Sequence, residues 1–217
     1  MHHNITYLLD QLTQVAKPYP TIVFFGGPGS GKNTQGILLA EYIQGFHFSL
    51  GDVIRRLPTE SELAHIYTTH ATIGRPVPDE FATHICERAL YSYVTTGQFR
   101  PPHQKLILDG YPKSFSQANH AEKFLNLLCV VHLRCSDELA LERIKRRNYI
   151  DGRIEDQTED VIINRIRYYH EEVEPVLRIF RHDSILSINA EENVQEVLQQ
   201  ILNGFESFEP LNKGQYK

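Results

Sequence analysis

Residues 26–35 read Gly26-Gly27-Pro28-Gly29-Ser30-Gly31-Lys32-Asn33-Thr34-Gln35. The glycines allow backbone torsions that a Cβ would forbid, so successive N–H groups can turn toward one anion. Lys32 adds a full positive charge, and a hydroxyl follows at Thr34. Such a loop binds a polyphosphate. Its spacing departs from the general pattern Gly-x-x-x-x-Gly-Lys-Ser/Thr, because Asn33 stands where the hydroxyl belongs and Thr34 comes one place later. A second group is Lys105-Leu106-Ile107-Leu108-Asp109-Gly110-Tyr111-Pro112-Lys113, an apolar run that ends in an acid, a tight turn and a cation. An acid leaving a strand beside a phosphate loop can hold Mg²⁺ through water; it can equally be a helix cap or a turn former. A third group is basic. Arg143 and Arg147 share one helical face, Arg153 follows Gly152, and Arg165 recurs on the next helix. The run Glu142–Arg147 has the composition of a solvated face or an RNA-binding tract, but arginines spread this way suit several points on a polyphosphate better than a linear polymer.

The elements that must position these groups follow from periodicity. Thr21-Ile22-Val23-Phe24-Phe25 reads as a buried strand, and the helical spacing of Ile37 to Ile43 follows the loop. Strand, glycine-rich turn and helix put the helix N-terminus, with its unsatisfied donors and partial positive charge, against the anion. Gly45–Ser49 is a brief second strand running into a helix at Leu50–Arg56, for which Asp52 is the expected cap. Arg55 on that helix, taken alone, reads as a solvated side chain. A small helix over Thr59–Thr72 completes a compact helical insertion at 49–77. A longer helix runs from Asp79 to about Thr96 with Cys86 on its buried face, and Lys105–Asp109 is the third strand. Leu127–Leu133 is a fully buried fourth strand, in which His132 reads as a satisfied core histidine. A helix at Asp137–Arg147, a fifth strand at Ser187–Asn189 and a final helix from about Asn193 to Leu202 close the pattern. The amphipathic piece Tyr7–Leu12 is expected on the outside of the core, and the polar tail 203–217 is expected to fray.

Composition narrows the function. The chain has 217 residues, 41% apolar, which is one domain with a full core. A net charge of −5 argues against a general nucleic-acid or membrane-surface binder. Three cysteines without Cys-x-x-Cys spacing fit a reducing compartment and not a zinc site. With no basic leader and no run long enough to span a bilayer, the expectation is a cytoplasmic protein.

The motifs Gly-Gly-Pro-Gly-Ser-Gly-Lys-Asn-Thr-Gln, Ser-Leu-Gly-Asp-Val-Ile-Arg, Gly-Arg-Pro-Val-Pro-Asp-Glu, Leu-Asp-Gly-Tyr-Pro-Lys-Ser-Phe-Ser-Gln and Gly-Arg-Ile-Glu-Asp occur in order between about Thr21 and Leu202. In these the sequence resembles the nucleoside monophosphate kinases, and among them the short-lid adenylate kinases. The resemblance implies an α/β fold: a P-loop kinase core, 1–217, with a five-stranded parallel sheet flanked by helices. It also implies a mobile monophosphate-binding insertion at 49–77 and a short lid at 146–156 without zinc ligands. By matched position, Gly29, Ser30, Gly31, Lys32, Asn33 and Thr34 would surround the donor phosphates, with Thr34 also near Mg²⁺. Arg143 and Arg147 would reach ATP, the former against the adenine. Leu50, Arg55, Arg75, Val77, Gly110, Lys113 and Gln117 would form the acceptor site, Arg55 and Lys113 on its phosphate and Gln117 on its base. Arg153 and Arg165 would bridge the transferring phosphoryl group, and Asp156 would pair within the lid. The implied reaction is ATP plus AMP giving two ADP, by a monomer that uses Mg²⁺.

Four positions depart from the family. Asn33 replaces a glycine, Leu50 a threonine that hydrogen-bonds the adenine of AMP, Lys113 an arginine on the acceptor phosphate, and Glu155 an aspartate. Two of these lie on the acceptor side. Three readings follow: an adenylate kinase, a UMP/CMP-type kinase, which Leu50 permits and Gln117 opposes, and a non-catalytic nucleotide-binding relative, which the intact arginine set opposes.

Overall fold

The computed structural model describes residues 18–101 and 103–206. The expected amphipathic piece at Tyr7–Leu12 and the last residues of the tail lie outside them. Five strands form one parallel sheet in the order β2-β3-β1-β4-β5: β1 (Tyr19–Phe25), β2 (Phe46–Ser49), β3 (Leu106–Asp109), β4 (Leu125–Arg134) and β5 (Ile185–Asn189). The helices are α1 (Lys32–Tyr42), α2 (Leu50–Arg55), α3 (Glu62–Ala71), α4 (Asp79–Thr95), α5 (Phe115–Ala121), α6 (Asp137–Asp151), α7 (Glu159–Tyr168) and α8 (Val194–Glu206). This is the α/β class that the sequence predicts.

The central strand reads as a continuous apolar run because both of its faces are covered. Val23 and Phe25 point into one core with Phe48, Leu106 and Leu108, under α4 and α5. Ile22 and Phe24 point into the other with Ile107, Val131 and Leu133, under α1 and α8. Each fully buried aliphatic side chain contributes about 1.5–3 kcal/mol, so the two cores hold the sheet between helical layers. Register sets the site. Phe24 lies opposite Asp109 on one side and Val131 on the other, so the loop after β1 and the turn after β3 leave the same carboxyl edge.

Several boundaries differ from expectation: α6 runs four residues past Arg147 to Asp151, β5 begins at Ile185, α3 is shorter than Thr59–Thr72, and three further differences have a visible cause. The cap of α2 is Ser49, whose hydroxyl accepts from the Asp52 N–H at 3.3 Å, while the Asp52 carboxylate turns instead to Arg55. A serine at the strand end already has the extended backbone a cap requires, and Asp52 lies a full turn inside. β4 is longer than expected and not buried throughout, since Asn126 is exposed near its start. α8 continues past Leu202 to Glu206, because Leu202 and Phe205 pack against the second core.

Candidate active site

The loop between β1 and α1 is built for an anion. Gly31 precedes the helix at φ 93°, in the left-handed region, and no side chain caps the first turn of α1. The initial N–H groups of that helix are therefore left for a ligand. Gly29, at φ 78°, passes so close to α6 that a Cβ there would lie 2.6 Å from the Ala140 carbonyl oxygen. Lys32 folds back over the loop and donates to the carbonyls of Gly26 at 2.7 Å and Gly27 at 2.8 Å. Burial lowers its pKa; Asp109 opposes the shift, and the charges of Arg165 and Arg147 add to it.

A cleft of about 850 Å³ opens above this loop, and every donor-side, acceptor-side and metal residue singled out in the sequence lines it. α6 brings Arg143 and Arg147, the turn after it brings Arg153, and α7 brings Arg165. α2 brings Arg55, and the exits of β3 bring Asp109, Gly110 and Lys113. The arginines are held from behind. Arg143 donates to the carbonyl of Ala190 at 2.7 Å, and Arg153 reaches Asp151 at 2.9 Å. Arg147 donates from Nη2 to Asp156 Oδ2 at 2.5 Å, and Arg165 takes the other oxygen of the same carboxylate. Asp156 has no exposed side-chain surface, while Arg147 and Arg165 stay about a quarter open to the cleft, so the carboxylate is buried under two guanidinium groups that still reach solvent. Each planar fork keeps further N–H groups for phosphate oxygens.

The acceptor side differs in detail from what position alone suggests. Lys113 is exposed to the cleft, although protein atoms crowd around its ammonium. The resulting desolvation first, and then the charges of Lys32 and Arg165, bring its pKa to about 8. Arg165 thus acts on both Lys32 and Lys113, within electrostatic range of the loop end and the β3 end of the cleft. Gln117 is buried, its Nε2 donating to Asp79 Oδ1 at 2.7 Å. Leu50 is a core residue at 3% exposure that shows one edge to the cleft. Arg75 lies over the Tyr168 ring at 4.9 Å.

Sequence reasoning passed over Tyr67 and Asp79. Tyr67, on α3, lines the cleft and donates to Glu155 at 2.5 Å. A lone tyrosine on a short amphipathic helix carries no signal of its own. Asp79 lies in the first turn of α4, where an acid is ordinary, and it also holds Gln117 and Ser114. His132 is a buried residue whose Nε2 lies 3.1 Å from the Tyr169 hydroxyl, and burial lowers its pKa. Cys86 and Cys129 are fully buried thiols, their pKa values raised by desolvation. Among the described residues no group of three His, Cys, Asp or Glu side chains could hold a metal ion, and no helix is long and apolar enough to cross a membrane.

A phosphate loop at the carboxyl edge of a parallel sheet, faced across one cleft by arginines from two later helices, defines a nucleoside monophosphate kinase. A family profile described as adenylate kinase matches residues 24–185. An adenylate kinase of Flavobacterium psychrophilum is 30% identical over 188 residues, which cover 83% of this chain and 95% of that protein. One from Mycobacterium tuberculosis is 32% identical over 187 residues, 83% of this chain and 96% of its own. A third, from Synechococcus, is 31% identical over 196 residues, 86% and 97% respectively. The chain belongs to the adenylate kinase family, and its activity is that of an ATP:AMP phosphotransferase.

Proposed function

We propose that this enzyme moves the γ-phosphoryl group of Mg²⁺-bound ATP to AMP as a cytoplasmic monomer, with Lys32, Arg147, Arg153 and Arg165 as its catalytic residues. The observation that carries the assignment of roles is the position of Arg165, whose charge is felt by Lys32 at the loop and by Lys113 at the acceptor end. Lys32 and the N–H groups from Gly29 to Thr34 hold the donor phosphates, Arg143 lies against the donor base, and Arg147 reaches the phosphates. Arg55 and Lys113 hold the acceptor phosphate. Arg153 and Arg165 neutralise charge on the group in transit. No protein nucleophile is needed, because this transfer is catalysed by alignment, charge neutralisation and exclusion of water. Closure of 146–156 over the cleft and of 49–77 against it supplies that exclusion.

The donor set fits Mg²⁺. Asp109 is a buried carboxylate at the end of β3, Thr34 brings a hydroxyl, and the buried Oδ1 of Asn33 has no hydrogen-bond partner. All are hard oxygen ligands of the kind this ion takes. Thr34 and Asp109, the latter through water, would hold the ion, which supplies charge neutralisation on the donor phosphates. The negative net charge and small-molecule cleft support nucleotide substrates and not a nucleic acid or a membrane.

AMP is the favoured acceptor because the Gln117 amide can both donate to and accept from an adenine edge. One observation favours a pyrimidine monophosphate instead: Gln117 already spends a donor on Asp79 and an acceptor position on the Lys113 N–H, beside the apolar Leu50. A coupled assay with ATP–Mg²⁺ and a panel of AMP, CMP, UMP and GMP decides between them. AMP is expected to give the highest kcat/KM; a higher value for CMP or UMP would remove Gln117 as the specificity residue, and no turnover with any acceptor would leave a nucleotide-binding relative.

A further inference from the structure

Glu155 sits in a single 3₁₀ turn, Ile154–Asp156, that follows α6. Its carboxylate leaves its own segment and reaches the helices at 49–77. One oxygen accepts from Arg55 Nη1 at 2.8 Å, and the other accepts from the Tyr67 hydroxyl at 2.5 Å. Arg55 is held from its second nitrogen by Asp52, also at 2.5 Å. Burial alone would raise the Glu155 carboxyl, but the Tyr67 hydrogen bond and the Arg55 charge hold it below the ordinary range. It is a buried carboxylate with both oxygens engaged. The next residue, Asp156, receives Arg147 and Arg165. One turn of chain therefore grips the donor-side arginines with one carboxylate and the acceptor-side arginine with the other.

We infer that Tyr67 is a positioning residue, which by holding the second oxygen of Glu155 fixes that carboxylate on Arg55 and latches the lid to the monophosphate-binding insertion. The inference rests on the reading of Arg55 as an acceptor-phosphate ligand and of 146–156 as the lid. With one oxygen free, a carboxylate can turn about its last bond and take the guanidinium with it. With both held, the plane of Arg55 is fixed, and the N–H groups that Asp52 and Glu155 leave over remain for the acceptor phosphate. Glutamate matters here. Aspartate is shorter by one carbon–carbon bond, about 1.5 Å, and cannot span Arg55 and Tyr67 from the same backbone position. The glutamate standing where the family has an aspartate is what lets the lid touch both helices of the insertion.

The test measures the latch apart from turnover. Full-length protein carrying Cys135→Ser, Thr68→Cys and Tyr149→Cys is spin-labelled at the two exposed sites, one on α3 and one near the end of α6, and the distance between them is measured without nucleotide. Tyr67→Phe keeps the ring and removes the hydroxyl. It is expected to move the population toward longer distances by roughly tenfold in the open-to-closed ratio, the value of one hydrogen bond to a charged group. Glu155→Asp is expected to do the same. In steady state, Tyr67→Phe is expected to raise the KM for AMP at least threefold without lowering kcat. A merely structural role would instead lower kcat and melting temperature with the distance unmoved. Distance distributions of Tyr67→Phe and Glu155→Asp that overlay the parent would overturn the latch, whatever the kinetics. A parent protein that fails in the coupled assay would overturn the functional reading alone, because the label distance still reports on the contact.

Discussion

The main-chain N–H of Lys113 donates to Oε1 of Gln117 at 2.7 Å, which ties together the residue proposed for the acceptor phosphate and the residue proposed for the acceptor base. That pair is pinned in turn to the start of α4, where Asp79 takes Nε2 of Gln117 at 2.7 Å and the Ser114 hydroxyl at 2.5 Å. On those roles, a base that shifts in its pocket is expected to shift its phosphate too, so that recognition of one end becomes alignment of the other.

With the role proposed for Lys113, acceptor binding is expected to titrate. In the empty cleft its ammonium loses its proton near pH 8, so the KM for AMP is expected to rise as pH climbs from about 7.5 to 9. Stability moves the other way. The folded pKa lies below the unfolded value of 10.5, so between about pH 8 and 10.5 the unfolded chain binds more protons and this group makes stability rise with pH. Lys113→Arg removes both trends and offers two donors in a fixed plane, so kcat is expected to rise about tenfold, more than KM falls. Paired pH profiles of the two proteins check this; an unchanged or lower kcat would mark Lys113 as an adaptation to its crowded neighbours.

Leu50 carries two duties that pull apart. Leu50→Thr puts a hydroxyl on the cleft wall where the acceptor base is proposed to lie, and is expected to lower the KM for AMP a few-fold, about 1 kcal/mol. The same change removes buried methyl groups from the core that Leu50 shares with Ile54 and Tyr111, and is expected to cost about 1–3 kcal/mol of stability. Kinetics and urea melts on one variant measure both. A gain in AMP affinity without a loss of stability would show that Leu50 does not pack as described.

How much of this was legible in the sequence varies with the range of the interaction. The loop, the Asp109 turn and the arginine series are local patterns, and the cleft gathers them as written. The strands were legible because buried parallel strands are apolar runs. What local pattern cannot carry is a contact between distant segments: Tyr67 meets Glu155 across 88 residues, and Gln117 meets Asp79 across 38. The expected cap of α2 was the wrong residue because serine and aspartate both favour that role; the extended backbone of Ser49 and the place of Asp52 inside the helix separate them.

Asp156 is expected to be the most sensitive position of the lid. Asp156→Asn keeps the shape but removes the buried counter-charge that Arg147 and Arg165 share. Breaking a buried pair in this way costs about 3–5 kcal/mol. Urea melts should show that loss, and kcat should fall at least tenfold because both guanidinium planes are released. A variant within about 1 kcal/mol of the parent would mean that the two arginines find other partners at little cost.

Lys32→Met fills the same channel without the charge. Turnover is expected to drop at least a hundredfold, the usual cost of removing a preorganised donor from a developing charge. The melting temperature should change little, since what the ammonium holds in the empty protein is the carbonyls of Gly26 and Gly27 and not the core. A variant with more than a tenth of the parent's turnover would remove Lys32 from the donor site.

The central place of β1 has a consequence on the ribosome. Its flanking partners, β3 and β4, begin at Leu106 and Leu125, while β1 itself starts at Tyr19. At roughly 5–20 residues per second, the nascent strand waits on the order of 5–20 s with no neighbour to pair with. During that wait Ile22, Val23, Phe24 and Phe25, all nearly inaccessible in the finished protein, lack the sheet neighbours that cover them. The same run that makes the best-buried strand is therefore the segment of the newborn chain that a chaperone would be expected to seize first.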